Sequence, residues 1–570
     1  MKLKTSLLGG VAVASVLLSG INSFADARTI KHHRVVKPVG KVDDAAVLRG
    51  EVNELRAQVD SLKAWRESQA AADAQSQAQL ADVKAQLVQA QAQAQAAQTR
   101  VDAQIETIPG TVKTAVAAAV PKTDKLYYKG VTITPGGFLA METVYRNHQE
   151  GADIGSTFGG LPLPNVATSH SGETRFTARQ SRMSLLAQGD VSPAIHLAGY
   201  YEMDFLGAAQ SANSNESNSY QPRIRNIYST VDWDQGFGGV SLLAGQSWSL
   251  VTMNTKGIAP RMEQVPLTIE AQYVPGFNWA RQPQIRLTAN YNKELWFSLS
   301  AENPQTTTFS SGKFVAGVTA PITTIVGGAE FNSVNSISLN KYPDMIGKVA
   351  FDKEVDGHAV HVEAFGLLRD FYAQTNASGV PGGEDTAGGG FGGGAIVALV
   401  PKVLELQVSG LEGRGVGRYG SGQLPDVSFG VNGQIHPIRE WALLAGGTFH
   451  PEPSIDVYAY AGEERASAQD YNSGTVFNGV GNPNYDNTGC ETLGNAANCV
   501  GNTKFIDQVT GGFWHRAYSG KFGKLQWGLQ YSYTERHTFA GYGVTPIAGG
   551  NPAPIARESM IFTSIRYYPF

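Results

Sequence analysis

From about residue 127 to the C-terminus, apolar and polar residues alternate with a period of two in segments of about ten residues. Ile195, Leu197, Tyr201 and Met203 alternate with His196, Tyr200, Glu202 and Asp204, and Leu525, Trp527, Leu529 and Tyr531 with Gln526, Gln530 and Ser532. A strand built this way has one apolar and one polar face, as a sandwich or a membrane barrel requires. Sixteen such segments are expected near 128–145, 173–188, 194–207, 222–234, 238–250, 283–292, 293–302, 344–353, 357–369, 389–400, 402–412, 425–436, 440–451, 506–518, 521–535 and 557–570. Their connections alternate strictly between short and long. The short ones fall at 189–193, 235–237, Asn292-Lys293, 354–356, Pro401, 437–439 and 519–520. The long ones are 146–172, 208–221, 251–282, 303–343, 370–388, 413–424, 452–505 and 536–556. A sandwich has no reason to sort its loops by length, whereas a transmembrane barrel has tight turns on one side and large loops on the other. The expected fold class is therefore an all-β transmembrane barrel of about 16 antiparallel strands over 127–570. Rings near the predicted strand ends, Tyr127, Tyr128, Trp233, Trp248, Trp441, Tyr567 and Tyr568, suit a membrane interface.

The N-terminus has the form of a secretory signal peptide. Lys2 and Lys4 precede an apolar run from Leu7 to Leu18, and Ser23-Phe24-Ala25 offers a cleavage point, which gives a leader of 1–25 or alternatively 1–27. No later stretch holds 18 consecutive apolar residues, so any membrane crossing falls to strands. Cys490 and Cys499, an even count in an exported chain, are expected to form a disulfide. Only 16% of the residues are charged and the net charge is −4, which argues against a nucleic-acid partner.

Between leader and barrel lies a segment of different rhythm. Residues 28–45 read as a basic flexible arm, 46–108 as a coiled coil and 109–126 as a linker. In the coiled coil, one heptad series runs Val52, Val59, Arg66, Asp73, Leu80, Leu87, Ala94 and Val101. The other runs Leu48, Leu55, Leu62, Gln69, Ser76, Val83, Ala90 and Ala97. A helix this polar is not stable alone, so association with copies of itself is expected, as a rod of roughly 90 Å. The alternative is an unstructured Ala/Gln linker.

The runs Ala178-Arg179-Gln180-Ser181-Arg182, Pro222-Arg223-Ile224-Arg225, Leu243-Ala244-Gly245-Gln246-Ser247-Trp248 and Arg281-Gln282-Pro283-Gln284-Ile285-Arg286, in this order, resemble the DcaP-like family of Gram-negative porins. The resemblance extends over almost the whole chain. It implies a homotrimer held through barrel and coiled coil, the latter in the periplasm, with the barrel in outer-membrane lipid. It also implies passive uptake of small, often anionic solutes such as dicarboxylates.

On the polar phase, Arg182, Arg286, Glu202 and Asp204 are expected to line a wet lumen. Strand phase leaves Arg223 and Arg225 open, because Asn226, Tyr228 and Thr230 occupy the opposite phase. Arg261 and Arg281 lie in a proline-rich connection long enough to fold inward and narrow the bore. The candidate pore-lining set is therefore Arg182, Arg286, Arg261, Arg281, Arg225, Glu202 and Asp204, with arginine suited to carboxylates by its planar fork. The opposite reading makes these ordinary hydrated charges. No catalytic, metal or cofactor constellation stands out. The leading function is an outer-membrane diffusion channel. A second is a structural tether whose rod binds or spaces peptidoglycan, and a third is a barrel hydrolase.

Overall fold

The computed structural model describes residues 44–106, 125–207, 221–309, 311–326, 336–377, 380–542 and 553–570. The expected leader, almost all of the basic arm and most of the linker lie outside these residues. The chain divides into two compact units, 1–121 and 122–570.

The described part of the first unit is one helix, α1, Asp44–Glu106, of 63 residues. Ala and Gln dominate it, both good helix formers, and no proline interrupts it. The heptad residues Val52, Leu55, Val59, Leu62, Val83 and Leu87 stand in the open: Leu55 is 60% and Leu62 62% exposed.

The second unit is a closed antiparallel barrel of sixteen staves. The staves are β1 Val131–Arg146, β2 Arg182–Ser192, β3 Ile195–Asp204, β4 Arg223–Gln235, β5 Gly238–Trp248, β6 Arg281–Tyr291, β7 Leu295–Glu302 and β8 Asp344–Val355. They continue as β9 His358–Ala377, β10 Val380–Val400, β11 Leu404–Arg414, β12 Arg439–Glu452, β13 Ile455–Ala466, β14 Thr503–Gly520, β15 Gly523–Thr538 and β16 Ile555–Tyr568. Each pairs with the next, and β16 closes on β1 from Leu139↔Tyr567 to Arg146↔Met560. Closure leaves no unpaired edge, the condition for strands to cross hydrocarbon.

The burial pattern is the reverse of a water-soluble protein. Leu139, Ile285, Leu299, Leu368, Val509 and Ile565 are exposed on the outside, while Glu142, Glu302, Lys348, Glu363, Gln530 and Thr534 are buried within. Such an outer surface is stable only against lipid, so the barrel reads as membrane-spanning.

The count of sixteen agrees with expectation, but one strand was misplaced and one missed. The segment 425–436 is not a stave: it forms a small hairpin, Val427–Phe429 with Ile435–Pro437, inside the long β11–β12 connection. Its apolar residues imitate a strand because Val427, Phe429 and Ile435 pack against Phe371 and Ala373 of β9. The missed stave is β13, inside the expected loop 452–505. Its phase is masked because Ala459 and Ala461 face out while bulky Tyr458 and Tyr460 face in. The expected connection 370–388 is largely strand, since β9 and β10 run on as a hairpin to Ala377↔Val380. The expected segment 173–188 is broken into Glu173–Thr177 and β2, both paired to β1. Trp248, expected in the interfacial belt, faces inward and is buried. Short and long connections alternate except at β9–β10, where the expected long loop is the extended hairpin itself, and this defines a short-turn end and a long-loop end. Cys490 and Cys499 are joined by a disulfide in the long β13–β14 loop.

Candidate functional site

The connection between β5 and β6, residues 249–280, decides the interior. Trp248 and Arg281 are direct partners in the sheet, so a tight turn would have joined them. Instead the chain crosses the bore and hydrogen-bonds to inward side chains on staves around the wall. The backbone N–H of Leu250 donates to Glu302 of β7 at 3.0 Å, that of Asn254 to Glu363 of β9 at 3.0 Å and that of Gly257 to Asp352 of β8 at 2.9 Å. On the far side, Ile269 N–H donates to Gln530 of β15 at 2.6 Å, and Gly276 N–H to Glu464 of β13 at 2.7 Å. An irregular backbone taken into a protein interior needs such partners for every amide. Gly276, at φ +94°, lies so close to the wall that a Cβ would stand 2.1 Å from the Leu443 carbonyl oxygen.

Apolar contacts complete the anchorage. Ile269, Val274 and Phe277 are fully or almost fully buried with Trp514, Tyr458 and Met560 from the wall. Lys348 of β8 donates to the Thr252 carbonyl at 2.8 Å and pairs with Glu363 at 2.7 Å, both side chains fully buried. Replacing Lys348 by Met leaves the buried Glu363 with only the His361 imidazole and the Asn254 backbone amide as partners, so the expected loss is about 3 kcal/mol. The measurement is the urea midpoint for loss of the folded barrel band in unheated gel samples.

Between the insert and staves β1–β5 and β13–β16 remains a cavity of about 550 Å³. Six cations line it, Arg182, Arg225, Arg261, Arg516, Lys524 and Arg566, against four carboxylates, Glu202, Glu263, Glu270 and Asp456. These charges are not equally available. Arg225 is nearly buried, bonded to Glu202 and to Asp204 at 2.9 Å. Arg566 donates to Glu142 at 2.7 Å, and Arg516 is taken up by Asp456 and the Pro453 carbonyl. Arg182 stands apart. Its Nε is 3.1 Å from Glu202, it lies over the Phe138 ring at 5.2 Å, and it makes no protein hydrogen bond among the described residues. Arg261 is exposed on the insert and spends one donor on Tyr228 at 3.1 Å. Its backbone is left-handed, φ +67°, a conformation that costs a non-glycine residue energy and that accompanies functional positions.

Four of the expected lining residues, Arg182, Arg225, Arg261 and Glu202, do meet at this cavity. Three do not. Asp204 is 1% exposed and serves as the anchor for Arg223 and Arg225. Arg286 is inward-facing but 3% exposed, covered by the insert and bonded to Gln284 and the Trp248 carbonyl. The Arg281 guanidinium lies between the Trp248 and Trp279 rings, at 4.9 and 5.1 Å. The insert that shapes the cavity also seals these last two positions. Sequence reading missed Arg566, Arg516, Lys524, Glu263, Glu270 and Asp456 as lining residues. For Arg566 a signal existed, since it stands in the phase opposite Ile561, Ile565 and Tyr567.

Glu270 ties the insert to the β1–β2 loop, accepting from Ser156 N–H and Oγ–H, each at 2.8 Å. Burial pushes its carboxyl up to about 7, with Arg146 and the Ser156 bonds opposing. A carboxyl held above its ordinary 4.5 is favoured in the folded state while protonated, and that advantage fades as pH rises through about 7. Protease nicking of the insert should therefore rise from about pH 5 to about pH 7 and level off above, and Glu270→Gln should flatten the dependence. Equal pH dependence in both proteins would exclude Glu270 as the cause.

No protein-family profile and no curated protein sequence matches this chain. Among solved structures, the outer membrane channel DcaP of Acinetobacter baumannii superposes with a TM-score of 0.54 at 16% identity, covering 78% of this chain and 99% of that one. The anion-selective porin from Comamonas acidovorans gives 0.42 at 12% identity, over 77% and 99%. At these identities the likeness concerns architecture: the C-terminal unit has the sixteen-stranded barrel fold of the DcaP channel.

Proposed function

We propose that this chain is an outer-membrane channel for passive diffusion of small hydrophilic solutes, with a preference for anions such as dicarboxylates. The observation that carries the reading is the cavity beside the insert, where six cations face four carboxylates and Arg182 keeps hydrogen-bond donors unspent. A surplus of positive charge in a narrow, low-dielectric passage raises the local concentration of anions and repels cations. A guanidinium fork grips a carboxylate by both oxygens, and two arginines at one cavity, Arg182 on β2 and Arg261 on the insert, suit a solute with two. Long loops then face outward, the short turns and both termini face the periplasm, and the leader directs export.

The test is a planar bilayer with a salt gradient across it. The expected reversal potential has the sign of anion preference, and millimolar dicarboxylate should reduce the chloride current. A cation-selective pore would overturn the reading.

The exposed heptad residues of α1 support association with further copies, in keeping with a periplasmic coiled coil and a trimer. A second role follows from the same rod, a spacer against peptidoglycan. Deleting residues 28–120 should abolish cell-wall pull-down while conductance persists. Retained pull-down would remove the tether.

A further inference from the structure

The outer surface of the barrel carries a site that the lumen does not explain. On β10 and β11 the adjacent positions Gly393 and Gly410 carry no side chain, and a groove of about 600 Å³ opens there, floored by these two glycines and walled by Phe391, Trp441 and Leu443. Phe391 is 67% and Leu443 46% exposed, so both walls are greasy and stand in lipid. The groove ends at Glu412 and Arg439, at the long-loop end of its staves.

At that end the sheet holds a like-charge pair. Arg414 of β11 is the direct cross-strand partner of Arg439 of β12. Two cations in opposed positions, with Cβ atoms about 5 Å apart, repel each other. Glu412 neutralises only one of them, bonding Arg439 at 2.6 Å, and Arg439 stays 64% exposed. Arg414 is exposed and has no hydrogen bond or ion pair among the described residues. Its partner on the other side is Gly389, which has no side chain to cover it. β11 has 11 residues from the short turn to Arg414, the length at which a tilted strand reaches the far headgroup layer.

We infer that this face binds a phosphorylated lipid of the outer leaflet, with a phosphate held between Arg414 and Arg439 and an acyl chain laid in the Gly393–Gly410 groove. The inference rests on the barrel spanning an outer membrane with its long loops outward. A phosphate supplies the missing negative charge and enough oxygens for two guanidinium forks. A flexible hydrocarbon chain fills a narrow apolar trough, and the Trp441 ring sits at the interface between them. Charge complementarity is what favours a phosphorylated lipid here: Arg414 and Arg439 together carry one positive charge more than Glu412 neutralises.

The experiment uses the full-length protein, delipidated in detergent, titrated with bis-phosphorylated lipid A and followed by native mass spectrometry. The parallel arms are the same lipid after phosphatase treatment, and inorganic phosphate. Two variants are compared with the parent chain: Arg414→Gln/Arg439→Gln, and Leu443→Trp, which narrows the groove without touching the charges. Expected are about tenfold weaker binding in the arginine variant and for the dephosphorylated lipid, weaker binding in Leu443→Trp, and no saturable binding of phosphate alone. Bilayer conductance serves as the control and should be unchanged in both variants. A conducting protein with equal lipid affinity in all forms would overturn the lipid site and leave the channel reading standing. Saturable binding of inorganic phosphate alone would overturn the acyl-chain half. Loss of oligomer in Leu443→Trp with lipid retained would mark the groove as a subunit contact and refute the inference.

Discussion

Exchanging Arg182 and Arg261 for glutamate should invert the ion preference. The cavity then passes from a surplus of two cations to a surplus of two carboxylates, four against six, with the surrounding geometry retained. Each side chain has a single polar contact to the wall, Arg182 its 3.1 Å ion pair with Glu202 and Arg261 its hydrogen bond to Tyr228. At the separations of a hydrated constriction each unit charge is worth about 1 kcal/mol, so the anion-to-cation permeability ratio should fall by about tenfold or more. The measurement is the reversal potential in a tenfold salt gradient. The double substitution Arg281→Gln/Arg286→Gln is the counter-test. Those two guanidinium groups lie under the insert and behind Trp248, so selectivity should hardly move. A larger shift from that pair than from Arg182 and Arg261 would show that ions do not pass where the cavity lies.

Excising the insert is the second large effect. Residues 252–278 can be replaced by a short Gly-Ser turn, because Trp248 and Arg281 already face each other across the sheet. A sixteen-stranded cylinder is wide enough for an aqueous passage, and the insert is what fills much of it. Conductance should rise about three- to fivefold and the anion preference should weaken, since Arg261 leaves and field lines spread in the wider bore. The carboxylates Glu302, Asp352, Glu363 and Glu464 lose their amide partners but face water instead of a packed backbone. Stability should fall, because Ile269, Val274 and Phe277 no longer bury against Trp514 and Tyr458. Unchanged conductance in a folded excision variant would mean that another loop sets the constriction.

The alternation of phase made most staves readable, and the places where it failed have definite causes. At β4 both Arg225 and Asn226 are buried on the inner side, although a regular strand would place them on opposite faces. A bulge does this: Glu202 pairs with Asn226, the next residue Met203 pairs with Ile224, and Arg225 is the extra residue between. The phase after the bulge is shifted by one, which turns Arg223, Arg225, Tyr228 and Thr230 all inward. No local pattern reports a bulge, since it is settled by the neighbouring strand. The hairpin at Val427–Pro437 failed for a related reason. A loop folded against the β9–β10 extension needs apolar residues at the same spacing as a stave.

Local chemistry alone was enough to determine the class of this protein: strands of period two, connections sorted by length, a long Ala/Gln helix and an inward polar phase carrying Arg182 and Glu202. These are nearest-neighbour properties, because an alternating strand between water and lipid has one stable way to face. Which arginines reach the passage was decided only by the tertiary structure. Arg261 and Arg286 are equally charged and close in sequence, yet one stands in the cavity and the other beneath the chain that forms it. The difference comes from the path of residues 249–280, and that path is set by carboxylates and amides on Glu302, Asp352, Glu363, Glu464 and Gln530, up to 261 residues away. Burying an irregular backbone requires partners for its amides, and their positions exist only once the barrel has closed.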